Sequence, residues 1–415
     1  MRERPIVVIG GGAAGIIAAW RVATLGARVT LLEKTPRLGT KILISGGGKC
    51  NITHDGPLED LLRAFRPNEA RFIRPACYRF TNAEIVEMLT SRGLEVYTRP
   101  DGRIFPVDKT AKDVVAILQS YLSDVGVNIR LDTSVQRLLV DKGRVTHVVT
   151  GLETLECSHV IVAVGGSSYP NSGTTGDGWK WCREGGHTIV PVRAALAPMY
   201  METPLTDRSG VALRDCLLRA RLEGKEISRW QGDLLFTHQG VSGPTALGVS
   251  REVAERFAEG TITLEVDVVP SQTVEQFSVR LLNWLQTNPR KMVSSFVEDI
   301  VPSSLVTDIL SVAQIEPTVI GAAFEKKARN RLVATLKGWN LGAVRTVPLE
   351  KGEVVAGGVS LDEVDPQTMR SKIVGGLYLC GEVLDIAGPV GGYNLQAAFA
   401  TGFVAGETAA NDAQN

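Results

Sequence analysis

The stretch PIVVIGGGAAGIIAAWRVATLGARVTLLE, residues 5–33, decides the fold. It opens on an apolar, β-branched run and turns through glycines. It then carries alanine and isoleucine at helical spacing up to Gly26 and returns as a second apolar strand. That order is a βαβ unit. Gly10, Gly12 and Gly15 form G-x-G-x-x-G between strand and helix, with Ala13 and Ala14 inside the turn. The first glycine permits a tight turn, the second lets backbone approach a pyrophosphate, and the third allows close packing of helix on strand. The free amides and positive dipole end of the helix then face the phosphates. Glu33 closes the second strand, where a carboxylate accepts ribose hydroxyls, and Lys34 follows it. An acid there, rather than an arginine, argues against a 2′-phosphate. The segment predicts a dinucleotide site and leaves NAD or FAD open.

Three later stretches extend the reading. In GTKILISGGGKCNIT, residues 39–53, Gly46, Gly47 and Gly48 expose backbone amides while Lys41 and Lys49 add positive charge. This suits a second contact along the same ligand, which an NAD site does not require. In AVGGSSYPNSGTTGDGWKWC, residues 163–182, Gly165 and Gly166 let the chain turn close to a bound group. Asp177 there is either a helix cap or a polar ligand contact. Near the end, GLYLCGEVLD is a buried strand and a turn carrying Glu382 and Asp385, and Gly391 and Gly392 then open a helix. A carboxylate in that turn can hold a ribityl chain, and a helix start can stabilise negative charge at the pyrimidine edge of a flavin. One extended, non-covalent FAD touching both chain ends accounts for both glycine sites.

The rest of the chain sets bounds. Its 415 residues suit two or three domains. Forty-five basic residues balance forty-five acidic ones, so no nucleic-acid footprint or anionic membrane surface is expected. Six cysteines include no C-x-x-C pair, and reduced thiols in a cytosol follow. MRERP runs straight into a strand without a secretory h-region, and no apolar run nears the roughly 18 residues of a membrane helix. A cytoplasmic protein is expected. The run from Val127 to Val164 suggests an antiparallel meander, and NDAQN a frayed tail. A change of texture near VRAALAPMYME marks an insert, giving 1–192 and 346–415 as two parts of one FAD-binding domain. The insert between them, 193–345, has a β-rich half and a helical half at about 275–335.

Five stretches in order, VVIGGGAAG, GTKILISGGGKCNIT, VGGSSYPNSGTTGDG, LLFTHQGVSGPTAL and GGVSLDEVDPQTMRSKIVGGLYLCGEVLDIAGPVGGYNLQAAFATGFVAG, resemble a bacterial flavoprotein family of about this length. Its members carry the labels NAD(P)/FAD-dependent oxidoreductase, aminoacetone oxidase and 3-dehydro-bile-acid reductase. The resemblance implies an α/β fold: a glutathione-reductase-like Rossmann FAD-binding domain interrupted by a β-barrel-like and helical insert. It implies FAD contacts at Ala14, Glu33, Lys41, Gly46 to Gly48 and Asn51. It also places the backbone of Val135 at the adenine, and Asp385 and Asn394 at the flavin end. Cys380 stands where relatives carry a small residue and reads as structural.

Other residues carry two readings each. Cys50, beside Lys49, is either a thiol near the flavin or a packed, inert cysteine, and the second is favoured. His238 in FTHQGVSGP is the candidate to handle a substrate proton, against a histidine fixing its own loop. Tyr393 either flanks the ring or packs, and Arg193, Arg208 and Arg345 could each bind a substrate carboxylate. The chain reads as an oxidoreductase of a small molecule, with hydride exchanged at flavin N5. No second G-x-G-x-x-G follows a strand, which disfavours a dedicated nicotinamide domain but leaves NAD(P)H open as a transient donor, and the chain reads equally as an oxidase or a reductase. The alternative is a flavoprotein with an RNA-directed or redox-sensing role, disfavoured by the neutral charge and the lack of a basic run in the insert. No metal site is expected.

Overall fold

The computed structural model describes residues 4–414. The chain divides into two compact units, one running to Arg193 and resuming at Glu353, the other Ala194–Gly352.

The first unit is built on a five-stranded parallel sheet in the order Leu377–Leu379, His159–Val162, Ile6–Ile9, Val29–Leu32, Asn128–Arg130. Ile6–Ile9, Val29–Leu32 and His159–Val162 are buried along their whole length, as expected of parallel strands covered on both faces. This is a Rossmann-type sheet. The helix Ala13–Thr24 follows the first strand, and the last helix, Tyr393–Gln414, packs along it. Glycines set that contact. A Cβ on Gly402 would lie 2.3 Å from the carbonyl oxygen of Ala14, and one on Gly406 2.4 Å from that of Ala18. Two glycines one turn apart thus seat the last helix directly on the backbone of the first.

Two expectations are corrected. Within Val127–Val164, Asn128–Arg130 and His159–Val162 join the parallel sheet, and only Val135–Asp141, Arg144–Thr150 and Thr154–Glu156 form an antiparallel meander. Short apolar runs look alike in either setting; burial by neighbours decides between them. The tail does not fray: the last helix continues to Gln414. Asp412 accepts from Tyr378 Oη and Arg370, and Gln414 donates to Leu25 O at 2.8 Å. These are polar residues with distant partners. Asn415 lies outside the described residues.

The second unit holds a closed six-stranded barrel, in the order Met199–Met201, Gly240–Ser242, Lys225–Phe236, Ala212–Leu222, Ile262–Asp267, Trp339–Thr346. Between its last two strands lie the helices Val274–Thr287, Val293–Glu298, Ser303–Val312 and Lys326–Lys337. Phe236 and Trp339 are fully buried in its core, as are Phe277 and Phe296. Among the described residues, no helix is long and apolar enough to cross a membrane.

Candidate dinucleotide site

The three glycines of the first turn answer to different demands. At Gly10, φ is +101° and a Cβ would lie 2.5 Å from Ala163 O, so only glycine fits. A Cβ on Gly15 would lie 1.8 Å from Gly10 O. Gly12 is different: nothing lies within 4 Å of a Cβ built there, although it caps the helix Ala13–Thr24. Packing explains Gly10 and Gly15. The open space at Gly12, at a helix N-terminus, fits a phosphate approaching the backbone.

Glu33 is fixed from both sides, accepting from Gly11 N at 2.6 Å and from Thr35 N at 2.8 Å. Lys34 reaches the loop after the strand His159–Val162. Its Nζ donates to Thr175 Oγ1 and to Asp177 Oδ2, both at 2.7 Å. Asp177 is not the cap, for Gly176 takes that position, and its carboxylate pairs with Lys34.

In the second glycine site, Gly46 is hemmed in by Asn51 N at 2.8 Å and Phe105 Cε1 at 2.9 Å, whereas nothing lies within 4 Å of a Cβ on Gly47. Gly48 has only Leu43 O, at 3.9 Å. Cys50 is fully buried, and burial pushes its thiol up to about 12. Buried Asn51 donates to Thr53 O at 3.2 Å and accepts from Gly392 N at 2.9 Å, in the amide orientation that satisfies both groups.

At the other end of the chain, Lys41 Nζ donates to Glu382 Oε2 at 2.5 Å and to Ser168 Oγ at 2.8 Å. Glu382 Oε1 also accepts from Val355 N, at 3.0 Å. Gly166 lies against this turn: a Cβ there would meet Val355 Cγ2 at 2.5 Å and the Glu382 carboxylate at 3.2 Å. A Cβ on Gly165 would stand 3.0 Å from Thr174 Cγ2. Asp385 Oδ1 accepts from Gly357 N at 2.8 Å. Asn394 spends its amide on the preceding loop, accepting from Gly388 N at 2.8 Å and donating to Gly388 O at 2.9 Å. A Cβ on Gly392 would lie 2.5 Å from the carbonyl carbon of Thr53, and Thr53 Oγ1 donates to buried Gln396 at 2.8 Å. A Cβ on Gly391 would lie 2.4 Å from Tyr393 Cε2. Tyr393 stacks on His54 with centroids 4.6 Å apart and packs edge-on against Phe65.

The residues present fit an extended dinucleotide. The start of the first helix and the glycine loop are open at Gly12 and Gly47, and the buried Ser167 Oγ beside Gly166 has no partner among the described residues.

A family model described as HI0933-like protein Rossmann domain matches residues 4–408. The chain belongs to the HI0933-like family. It is 32% identical over 403 residues to the ribosomal RNA dihydrouridine synthase of Haemophilus influenzae, covering 96% of each chain. It is also 32% identical over 410 residues to the 3-dehydro-bile acid delta(4,6)-reductase of Clostridium scindens, covering 98% of each. The solved 3-ketosteroid delta1-dehydrogenase of Sterolibacterium denitrificans superposes with a TM-score of 0.56 at 13% identity, covering 99% of this chain and 100% of that one. That last likeness is one of fold.

Other candidates of this HI0933-like chain have their own local settings. His238 is exposed in the turn between Lys225–Phe236 and Gly240–Ser242 of the barrel unit, with no hydrogen-bond partner among the described residues. Arg208 pairs with Asp308 and Arg345 reaches Gln239 at 3.4 Å, while Arg193 donates to the carbonyl of Val192. Val135, 7% exposed, begins the meander. Residue type alone did not bring out His54, Ser168, Gln396 or Glu353. The one signal available was adjacency: each lies within a few residues of a glycine pair or run. Among the described residues, no group of three or more His, Cys, Asp or Glu could hold a metal.

Proposed function

We propose that this chain is an FAD-dependent oxidoreductase that reduces a carbon–carbon double bond conjugated to a carbonyl. The observation that carries the cofactor is that the glycine turn and the segment leading into the glycine loop, open at Gly12 and Gly47, are tied by Gly39 N donating to Gly11 O at 2.8 Å, while Gly402 and Gly406 seat the last helix on the first. FAD, when bound, supplies two-electron hydride exchange at N5. The amides after Gly12 would receive the diphosphate, Glu33 the ribose, and the backbone of Val135 the adenine. Asp385 would hold the ribityl chain, and Gly46 to Gly48 with the start of the last helix would hold the ring. The dipole of that 22-residue helix favours negative charge at its start.

The reaction class is supported by the chemistry in the names of the two full-length relatives. A dihydrouridine is a uracil saturated beside a carbonyl, and a delta(4,6)-reductase of a 3-dehydro bile acid saturates double bonds in line with a ketone. A small-molecule enone is the reading favoured by the balance of 45 basic and 45 acidic residues. Uracil in RNA is the second reading, favoured by the 32% identity to the Haemophilus relative over 96% of both chains. NAD(P)H is the proposed transient donor, and the cytoplasm the proposed compartment.

The test is anaerobic. Flavin-loaded protein is bleached with NADH or NADPH and then mixed with 4-androstene-3,17-dione as an enone probe, or with a ribosomal RNA transcript. Return of the yellow colour with one of them, and two hydrogens gained by that probe, is the expected result. A protein that binds no FAD, or whose reduced form is reoxidised by oxygen alone, overturns the reading.

A further inference from the structure

We propose that His54 is a positioning residue for the flavin ring, acting through the turn that opens the last helix, an inference that rests on the cofactor proposed above. His54 ends the short strand Thr53–His54, which pairs with Arg103–Pro106. Gly391 and Gly392 lead into the helix Tyr393–Gln414 with φ of +146° and +90°. Two glycines in a row have no side chains to fix such a turn, so its shape must be set by its neighbours.

Those neighbours come from one short segment. Nδ1 of His54 lies 3.2 Å from Gly391 O, and since a carbonyl only accepts, Nδ1 carries the hydrogen. The N–H of the same peptide, on Gly392, donates to the Asn51 side chain at 2.9 Å. Both polar groups of the peptide between Gly391 and Gly392 are thus held by side chains three residues apart. The imidazole is itself confined. It stacks on Tyr393 with an interplanar angle of 22°, and a Cβ on Gly102 would lie 2.4 Å from its Nε2.

This peptide is spent on the protein and is not the donor to a ligand. The next two amides, Tyr393 N and Asn394 N, have no hydrogen-bond partner among the described residues, and they stand at the positive end of a 22-residue helix. Their direction follows from the turn before them. Reduction places negative charge on the pyrimidine edge of a flavin, and a hydrogen bond to a charged acceptor is about twice as strong as one to a neutral acceptor. Misaiming the two amides therefore costs the reduced ring more than the oxidised one. A contact that only seated the helix would weaken both states alike, so His54 is distinguished by its effect on the reduction potential.

The test separates the hydrogen bond from the stack. His54→Asn keeps an N–H one bond beyond Cγ and loses the ring, His54→Phe keeps a ring and loses the N–H, and His54→Leu loses both. Midpoint potentials of the flavin-loaded proteins are read by equilibration with a redox dye. In His54→Phe and His54→Leu the reduced flavin should be bound about tenfold less tightly relative to the oxidised one, which lowers the two-electron potential by about 30 mV. His54→Asn should stay within about threefold of wild type. Wild-type potentials in both variants without the N–H overturn the proposal, and so does a fall in His54→Asn as large as theirs. A second measurement needs no flavin: hydrogen–deuterium exchange at Gly392 should be about tenfold faster in His54→Phe and His54→Leu than in wild type or His54→Asn. Equal exchange in all four proteins overturns the proposal. If the wild type binds no FAD, the cofactor reading fails by itself, and the exchange at Gly392 still decides whether His54 holds the turn.

Discussion

Lys41 Nζ lies 2.5 Å from Glu382 Oε2, joining two residues 341 positions apart in the chain. With side chains 24% and 16% exposed, the pair is neither a surface ion pair nor a fully buried one. It ties the glycine loop to the turn before the last helix, and through Val355 to the neighbouring strand.

Breaking that pair should therefore cost stability. Lys41→Met leaves the Glu382 carboxylate with Val355 N alone, and a loss of about 1–2 kcal/mol in urea unfolding is expected, less than the full cost of orphaning a buried charge because water still reaches both groups. The double variant Lys41→Met with Glu382→Leu should recover part of the loss. Strictly additive single and double variants would show that the pair is uncoupled.

Gly12 and Gly15 should respond oppositely to alanine. Gly15→Ala drives a methyl into the Gly10 carbonyl at 1.8 Å and should destabilise the fold by several kcal/mol, about 3 or more. Gly12→Ala meets open space and should leave the thermal midpoint of flavin-free protein unchanged while weakening FAD binding about tenfold or more, read by flavin fluorescence titration. Equal FAD affinity in Gly12→Ala and wild type would move the diphosphate elsewhere.

The six cysteines should be silent. All are buried, and burial raises the thiols of Cys50, Cys77, Cys157, Cys182 and Cys216 to about 12 and that of Cys380 higher still. Native protein at pH 8 should react with a thiol reagent only after denaturation, when six thiols appear. Fast labelling of Cys50 in the native state would revive a redox role for it.

His159 should make the fold acid-sensitive. Its ring is 4% exposed, and Arg144 donates to Nε2 at 2.9 Å. Burial, then the Arg144 charge, lower its pKa from 6.5 to about 4. The unfolded chain takes up this proton first as the pH falls, so stability is whole above about 6.5, drops by about 1.4 kcal/mol per unit below it, and levels off under the folded value. Unfolding of His159→Gln in urea between pH 7 and 4 should show a shallower slope than wild type; parallel slopes would exclude the histidine as the cause.

The fold class was legible because its determinants are local. A strand, a glycine turn and a helix start are written within residues 5–33, and the demands on Gly10 and Gly15 come from backbone a few residues away in the same turn or on the adjacent strand. The candidate site was legible only as a set of glycine-rich stretches. Lys34 and Lys41 look alike in sequence, as cations near an anion, yet one is taken up by Asp177 and the other by Glu382. His54 and Glu353 carried no pattern beyond glycines nearby.

The sequence by itself determined a βαβ dinucleotide unit, glycines where backbone had to turn or be approached, and a neutral chain without paired cysteines. Tertiary structure alone decided that Gly402 and Gly406 seat the last helix on Ala14 and Ala18, that Tyr393 stacks on His54, and which carboxylate each lysine holds. The physical reason is range. Backbone conformation and helix polarity act over a few residues and leave a periodic trace, whereas a charge or a ring takes its partner from whatever the packing of distant segments places within a few ångströms.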